Sequence, residues 1–600
     1  MKIKVSDYVA QFVAELGVRH VFMVAGGGAM HLNDSFGHHR ALTFVSTQHE
    51  QASAMAAETY ARISENIGVA VVTTGPGGTN AMTGLAGAWL DSTPCLFISG
   101  QVKRADLVGN LGVRQHGVQE IGIVALVQSI TKYAVTVMEP ASIRYHLERA
   151  VALAKSGRPG PVWIDIPLDV QAATIDTEHL ESYAAAQEGS TDRGARLTQQ
   201  AAKAIELINA AERPILLLGN GVRLAGATKE IVDLIAALNM PVLLTWPALD
   251  LLPDTHHLLV GRPGPVAPRG ANFALQNADC LLSIGARLDV VLTGYAPEKF
   301  ARAAKKIMVD IDPADIDKMN MPIAVPVNAD AKAFILELLN QRRQMVARDR
   351  GKWLEQCSAW KNRYPLVQPE YRREELVSTY VFAEALSEQL TGEDIVIPGS
   401  AGSGIEIFLL AFKAKAGHRV VNTTALGSMG NGLPSSIGGC LASGGKRTIL
   451  VNGDGGFQLN IQELETISRL KLPIKIFVLD NNGYASIRTS QMRYFHRLSG
   501  ADQTSGYSLP DLCRIAEAYG LPTKKIHDQR DLAAQIAEVL DTPGPILCNV
   551  STPPDEPRAP SMMSYPKPDG SMVSKPLEDL WPFLDRDEFR ANMLIPPLEE

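Results

Sequence analysis

Two neighbouring stretches decide how this chain is read: Thr448-Ile449-Leu450-Val451-Asn452-Gly453-Asp454-Gly455-Gly456-Phe457, and then Ile474-Lys475-Ile476-Phe477-Val478-Leu479-Asp480-Asn481-Asn482-Gly483. Each is a short run dominated by Val, Ile and Leu that ends at glycine. Runs too apolar to alternate belong to parallel strands covered by helices on both faces. Ligands of such sheets sit at the carboxyl ends of the strands. A carboxylate on one strand end and an amide oxygen on the next can share a hard cation, and Mg²⁺ takes oxygen ligands while bridging protein to phosphate. The flanking glycines let backbone N–H groups approach a diphosphate closely. Gly-Asp-Gly and Asn-Asn-Gly are each ordinary turns on their own. The spacing of Asp454 and Asn481, which puts both at the ends of successive strands, is what singles them out.

Outward from this pair the same pattern recurs along the chain. An N-terminal stretch carries strands at His20–Ala25, Gly68–Thr73, Cys95–Ser99 and Val162–Ile166. A central one has Ile215–Leu218, Val242–Leu244, Leu281–Ile284 and Ile307–Ile311, and the third adds Ile395–Ile397 and Ile546–Val550. Strands alternating with helical patterns predict an α/β fold of three tandem domains, each a mostly parallel sheet flanked by helices, plus a C-terminal tail. The expected limits are 1–176, 197–340, 374–550 and, for the tail, 551–600. The polar stretch Thr177–Arg196 suits a linker, and the charged stretch Gln341–Arg373 suits an exposed helix and a connection. The Pro-rich tail has little periodicity.

Composition narrows the class. With 600 residues, several domains are expected. Apolar residues at 46%, charged residues at 20% and a net charge of −7 describe a soluble globular protein. That charge argues against a nucleic-acid or anionic-membrane surface, which needs clustered Lys and Arg. No stretch reads as a membrane span or signal peptide. The six cysteines form no CxxC pair, which points to reduced, buried thiols in a cytoplasmic protein.

Gly453-Asp454-Gly455 followed by Asn481 resembles the signature of thiamine-diphosphate enzymes. The resemblance implies Mg²⁺ ligands at Asp454, Asn481 and the carbonyl of Gly483. Asp480 stands where the family has a first Asn. The register with Asn481 as ligand also aligns Arg493-Tyr494-Phe495 with an Arg-Phe-Tyr run of acetolactate synthases. Gln48-His49-Glu50-Gln51-Ala52, continuing to Ala57-Glu58-Thr59-Tyr60-Ala61-Arg62, resembles the family's catalytic-glutamate motif. Thiamine chemistry removes a proton from the thiazolium C2, and a carboxyl group beside the aminopyrimidine assists as general acid–base. Glu50 is the implied relay. Alone, a Glu after Thr47 would merely suit a helix dipole.

Further segments carry the acetolactate synthase resemblance: Thr73–Asn80, Asp91–Pro94, Gly100–Val102 and Leu426–Pro434. It implies that Met429, soft and unbranched, props the cofactor into a bent conformation. Gly399 and Ser400, with Gly427, Gly453, Gly455, Gly456 and Ile487, are the implied cofactor lining. Gly27 in the triple glycine Gly26–Gly28 should lie near the reacting carbonyl, and Gln119 of Val118-Gln119-Glu120 should donate to substrate; Lys132 also matches. Gly219 and Gly221, Thr245, Gly285, Arg287, Asp289 with Thr293-Gly294, and Asp310-Ile311 resemble the FAD-binding domain of these enzymes. A strand–glycine turn alone would suit any dinucleotide or vestigial site. The family also implies at least a homodimer, or a homotetramer, with the active site at a subunit interface.

The expected reaction is decarboxylation of a 2-oxo acid, pyruvate being favoured, with the acetyl unit passed to an acceptor carbonyl. In this register Ser490 and Val118 replace aromatic residues of the family that confine the acceptor, and Arg488 adds a cation. That combination suggests a bulkier acceptor such as a keto-sugar nucleotide. A pyruvate oxidase-type flavoenzyme is another alternative. A non-catalytic relative is argued against by the intact Glu50, Asp454 and Asn481, and a generic nucleotide- or CoA-binding protein would need no thiamine diphosphate.

Overall fold

The strand runs pair as parallel neighbours in three six-stranded sheets. The computed structural model describes residues 2–184, 191–346, 348–399, 402–566, 570 and 572–598. In the N-terminal sheet the order is Thr43–Ser46, His20–Met23, Gly68–Val72, Cys95–Gln101, Val162–Pro167, Tyr133–Thr136. The central sheet runs Leu259–Gly261, Val242–Leu244, Pro214–Leu218, Cys280–Ile284, Lys305–Asp310, Val325–Asn328. The C-terminal sheet runs Arg419–Val420, Ile395–Pro398, Thr448–Gly453, Ile474–Asp480, Ile546–Ser551, Thr523–Ile526.

The chain divides into two compact units. One holds residues 1–187, 393–405 and 419–554; the other holds 188–392, 406–418 and 555–600. In the first, a single apolar core joins the two outer sheets. It takes Phe22, Val72, Phe97 and Trp163 from one, and Ile397, Leu450, Ile476 and Val478 from the other. The helix Glu50–Ser64 lies in this core, buried continuously from Ala52 to Ala61. Its Ala-rich face meets the helix Gly432–Ala442 so closely that a Cβ on Gly438 would fall 2.1 Å from the Ala56 carbonyl oxygen. Thr59 Oγ1 donates to Ser435 Oγ at 2.9 Å across the same contact. Small residues thus bring the middle of the helix that Glu50 opens against the C-terminal domain.

Two readings of the sequence need correction. Thr191–Ala210 is one helix, so the polar stretch Thr177–Arg196 is not a linker throughout. Ala201, Ala204, Ile205 and Ile208 supply the apolar face that holds this helix, and they lie beyond the polar stretch. The helix Gly351–Arg363 is not simply exposed. It buries Trp353, Cys357 and Trp360 at helical spacing behind a charged outer face. The tail, for its part, is folded within the second unit. Leu577 and Phe589 enter an apolar core, and Arg586–Ala591 is a helix. Glu578, 3% exposed, accepts from Gln276 Nε2 at 2.6 Å and from Arg302 Nη1 at 2.6 Å. Among the described residues, no helix is long and apolar enough to cross a membrane.

Candidate functional site

Asp454 directly follows the strand Thr448–Gly453, and Asn481 directly follows its parallel neighbour Ile474–Asp480, so both stand at adjacent strand ends. The Asp454 carboxyl is 1% exposed. Its Oδ1 accepts from the Gly455 N–H at 2.7 Å, and its Oδ2 accepts from the N–H groups of Asn481 at 3.1 Å and Gly483 at 2.9 Å. Burial, reinforced by the neighbouring Asp480 carboxyl, pushes Asp454 up to about 7 despite these donors. Asn481 Oδ1 is buried without a hydrogen-bond partner. An orphaned amide oxygen beside a carboxyl whose charge is penalised is the donor set a hard dication would satisfy. The residues therefore fit Mg²⁺. Asn482, by contrast, is exposed with φ 61°, and its N–H serves only Asp480.

Gly483 has φ +127°, and a Cβ there would meet the Ala501 carbonyl oxygen at 2.4 Å, so only glycine is accommodated. Arg488 corrects an expectation. Its side chain is buried and donates to the carbonyls of Asn481 at 2.8 Å, Asn482 at 3.1 Å and Pro554 at 2.7 Å. It braces the loop and is not offered to an anionic acceptor. Gly399, at the end of the strand Ile395–Pro398, abuts Asn452, where a Cβ would lie 2.2 Å from Oδ1. Asn452 Nδ2 is itself buried without a partner, a donor the sequence reading passed over. Ser400 lies outside the described residues. Met429 is 38% exposed between Gly427 and Gly430, both at positive φ, and Ile487 is also exposed. Gly453, Gly455 and Gly456 are part of the Asp454 turn.

A second cluster forms at the carboxyl ends of the N-terminal strands. Glu50 opens its helix, with His49 as N-cap accepting from the Gln51 N–H. Asn80, at the end of the short helix Pro76–Asn80, donates its Nδ2 to Glu50 Oε2 at 2.9 Å. Gly77 lies beside this carboxyl, and a Cβ on it would press on Thr73 Cγ2 at 2.8 Å. Gln119 adopts φ 60° and its carbonyl presses on Gly75, where a Cβ would lie 2.4 Å away. A non-glycine residue held in that region is the kind of local strain that clusters at functional sites. Glu120 sets this turn, accepting from the N–H groups of Val108, His116 and Gly117. Gly27 faces open space. Lys132 is committed to the carbonyls of Ser156 and Arg158. Val118, 85% exposed, and Ser490 leave open surface. Asn80 ends the family-like segment Thr73–Asn80, but its contact with Glu50 leaves no trace in composition or period, and only the fold brings the two together.

In the second unit Gly219, Thr245, Gly285 and Asp310–Ile311 end four adjacent strands. The Gly221 N–H donates to the Gly285 carbonyl at 3.0 Å, so these glycines serve first to bring two turns together. Arg287 and Leu288 both have positive φ, and Arg287 Nη2 reaches Asp289 Oδ2 at 3.3 Å. A cavity of about 340 Å³ opens elsewhere in this unit, lined by His256, His257, Cys357 and Lys361 and by none of the expected site residues.

Two strand-end clusters, one acidic with an orphaned amide and one built on a helix-opening glutamate, place the chain in a class. It belongs to the thiamine pyrophosphate enzymes. Residues 3–126 match the family's N-terminal TPP binding domain, 201–338 its central domain, and 404–550 its C-terminal TPP binding domain. Among curated proteins it is similar to the probable acetolactate synthase large subunit of Methanococcus aeolicus, 32% identical over 90% of both chains. It is also similar to acetolactate synthase 2, chloroplastic, of Zea mays, 32% identical over 92% of this chain and 86% of that one. The acetolactate synthase large subunit of Pyropia yezoensis is 30% identical over 89% and 90%.

Proposed function

We propose that this chain decarboxylates pyruvate and joins the acetyl unit to a second 2-oxo acid, as an acetolactate synthase. The observation that carries the reading is the Asp454–Asn481 pair, a buried carboxyl beside a partnerless amide oxygen. Asp454, Asn481 and the Gly483 carbonyl would hold Mg²⁺, with the turns at Gly399 and Gly453–Gly456 receiving the diphosphate. When bound, thiamine diphosphate supplies an acidic thiazolium C–H and a sink for the electrons left as CO₂ departs. Glu50, whose Oε2 accepts from Asn80, would hold and pass the proton on its carboxyl as general acid–base beside the bound cofactor. Met429, exposed between two left-handed glycines, is free to bear on the ligand, and Gln119, held at φ 60°, is proposed as the donor to substrate oxygen.

The relatives carry the acetolactate synthase name and give no support to a keto-sugar acceptor or to pyruvate oxidase chemistry. FAD at the strand ends of the second unit belongs to the same proposal, as do a cytoplasmic location and a homodimer or homotetramer. Exposed apolar side chains at Val118, Met429, Ile487 and Phe495 favour coverage by a second copy. The test offers pyruvate alone and then pyruvate with 2-oxobutyrate, with products identified by mass. Acetolactate and acetohydroxybutyrate are expected; free acetaldehyde or acetate alone would reject carboligation. An absorbance scan of gently purified protein tests FAD, and no flavin band, with no gain on adding FAD, would remove it.

A further inference from the structure

The turn that delivers Glu50 is gripped from the C-terminal domain of the same chain. Asn460 Nδ2 donates to Gln51 Oε1 at 2.9 Å and to the Gly430 carbonyl at 2.8 Å. Arg469 donates to the Ser46 carbonyl at 2.6 Å. Between them Glu463 opens the helix Glu463–Arg469 and is fully buried. Its Oε1 accepts from the Gln48 N–H at 2.9 Å, the His49 N–H points at the same carboxylate, and Thr466 Oγ1 donates to Oε2 at 2.8 Å.

A glutamate at the start of a helix ordinarily serves the N–H groups of its own first turn. Glu463 instead spends its carboxylate on backbone amides far away in sequence, in the two residues immediately before Glu50. Those amides sit where the strand Thr43–Ser46 hands over to the Glu50 helix, so they govern the angle at which that helix starts. Only an acceptor-only group answers two N–H donors and a hydroxyl at once. Burial pushes Glu463 up to about 7, so such a carboxyl is costly to keep for packing alone.

We propose that Glu463 is a positioning residue for the proton relay, its carboxylate fixing the Gln48–His49 backbone and so the aim of Glu50. This rests on the functional reading above, because it presumes that Glu50 moves a proton. The test uses full-length Glu463→Gln and Glu463→Asp. Amide hydrogen exchange at residues 48 and 49 is read on protein without cofactor, and C2–H exchange of bound thiamine diphosphate is read by quench NMR. In Glu463→Gln the two amides should exchange about tenfold faster, as the loss of a charge-assisted hydrogen bond dictates. C2–H exchange and kcat should fall together, by about tenfold to a hundredfold, while KM and cofactor affinity stay within about twofold. Glu463→Asp, which keeps the charge, should lie between, and it carries the test alone if Glu463→Gln does not fold. Wild-type amide protection or wild-type C2–H exchange in Glu463→Gln would overturn the proposal, as would a loss fully explained by weaker cofactor binding. If the unaltered protein itself fails to accelerate C2–H exchange, the functional reading falls, while amide protection still reports whether Glu463 holds the turn.

Discussion

Asp454 is buried, sits beside a second carboxyl, and has no Lys or Arg partner among the described residues. Backbone N–H groups of Gly455, Asn481 and Gly483 donate to it, and none of them brings a positive charge, which leaves room for a cation in the local charge balance. Asn481 and Asn482 are adjacent in sequence yet have opposite fates, one buried with an orphaned oxygen, the other exposed. Asn481→Ala should therefore weaken Mg²⁺-dependent retention of thiamine diphosphate in calorimetric titration by tenfold or more, roughly the cost of one metal ligand. Asn482→Ala should leave it nearly unchanged, and equal losses would show the register to be wrong. Glu50→Gln keeps the Asn80 contact in outline but removes the titratable group. Turnover should fall by about 10²–10⁴ with cofactor affinity preserved, the usual cost of a missing acid–base group. Near-normal turnover would exclude Glu50 as the relay.

At the scale of elements, the helix Glu50–Ser64 carries a second carboxyl that the proposed chemistry does not use. Glu58 is fully buried beside Arg62 and Asp91, and burial, with Asp91 adding to it, raises it to about 8. A carboxyl raised on folding favours the native state below its unfolded value and loses that advantage as pH climbs through the folded one. Between about pH 5 and 8 it should lower stability by up to ~1.4 kcal/mol per pH unit. Thermal denaturation across that window should show Tm falling, with a shallower slope in Glu58→Gln; an unchanged slope would mean Glu58 is ionised in the native protein. How elements were legible also follows from burial. The strands read from sequence are the inner four of each six-stranded sheet, and the strands of those sheets that were missed, such as Thr43–Ser46, Tyr133–Thr136 and Val325–Asn328, are edges. Inner strands are apolar on both faces, whereas Val325–Asn328 alternates buried and exposed and Tyr133–Thr136 is half-buried throughout. The Asp454–Asn481 site was legible because parallel pairing fixes strand ends. Glu463, Asn80 and the true direction of Arg488 were not, because each contact depends on side-chain direction or on residues far apart in the chain.

Across the whole molecule, each unit is closed by sequence-distant pieces. The tail returns to the second unit, where Glu578 serves both Gln276 and Arg302. Glu578→Ala would strand the Arg302 guanidinium, whose side chain is 15% exposed, and should cost about 2–4 kcal/mol in denaturant unfolding of that unit. A change below about 0.5 kcal/mol would mean that the tail is not integral to it. The first unit carries the Glu50 cluster and the Asp454 cluster on one shared core, and the account stands on both clusters being needed for thiamine diphosphate chemistry, the two meeting across the interface between copies. CO₂ release from pyruvate tests this most directly, measured with thiamine diphosphate and Mg²⁺ together, with each alone, and with neither. The account predicts release, with acetolactate formed, only when both are present, and its collapse in Glu50→Gln and in Asp454→Ala. Release that persists in Glu50→Gln, or that needs neither cofactor, would contradict it.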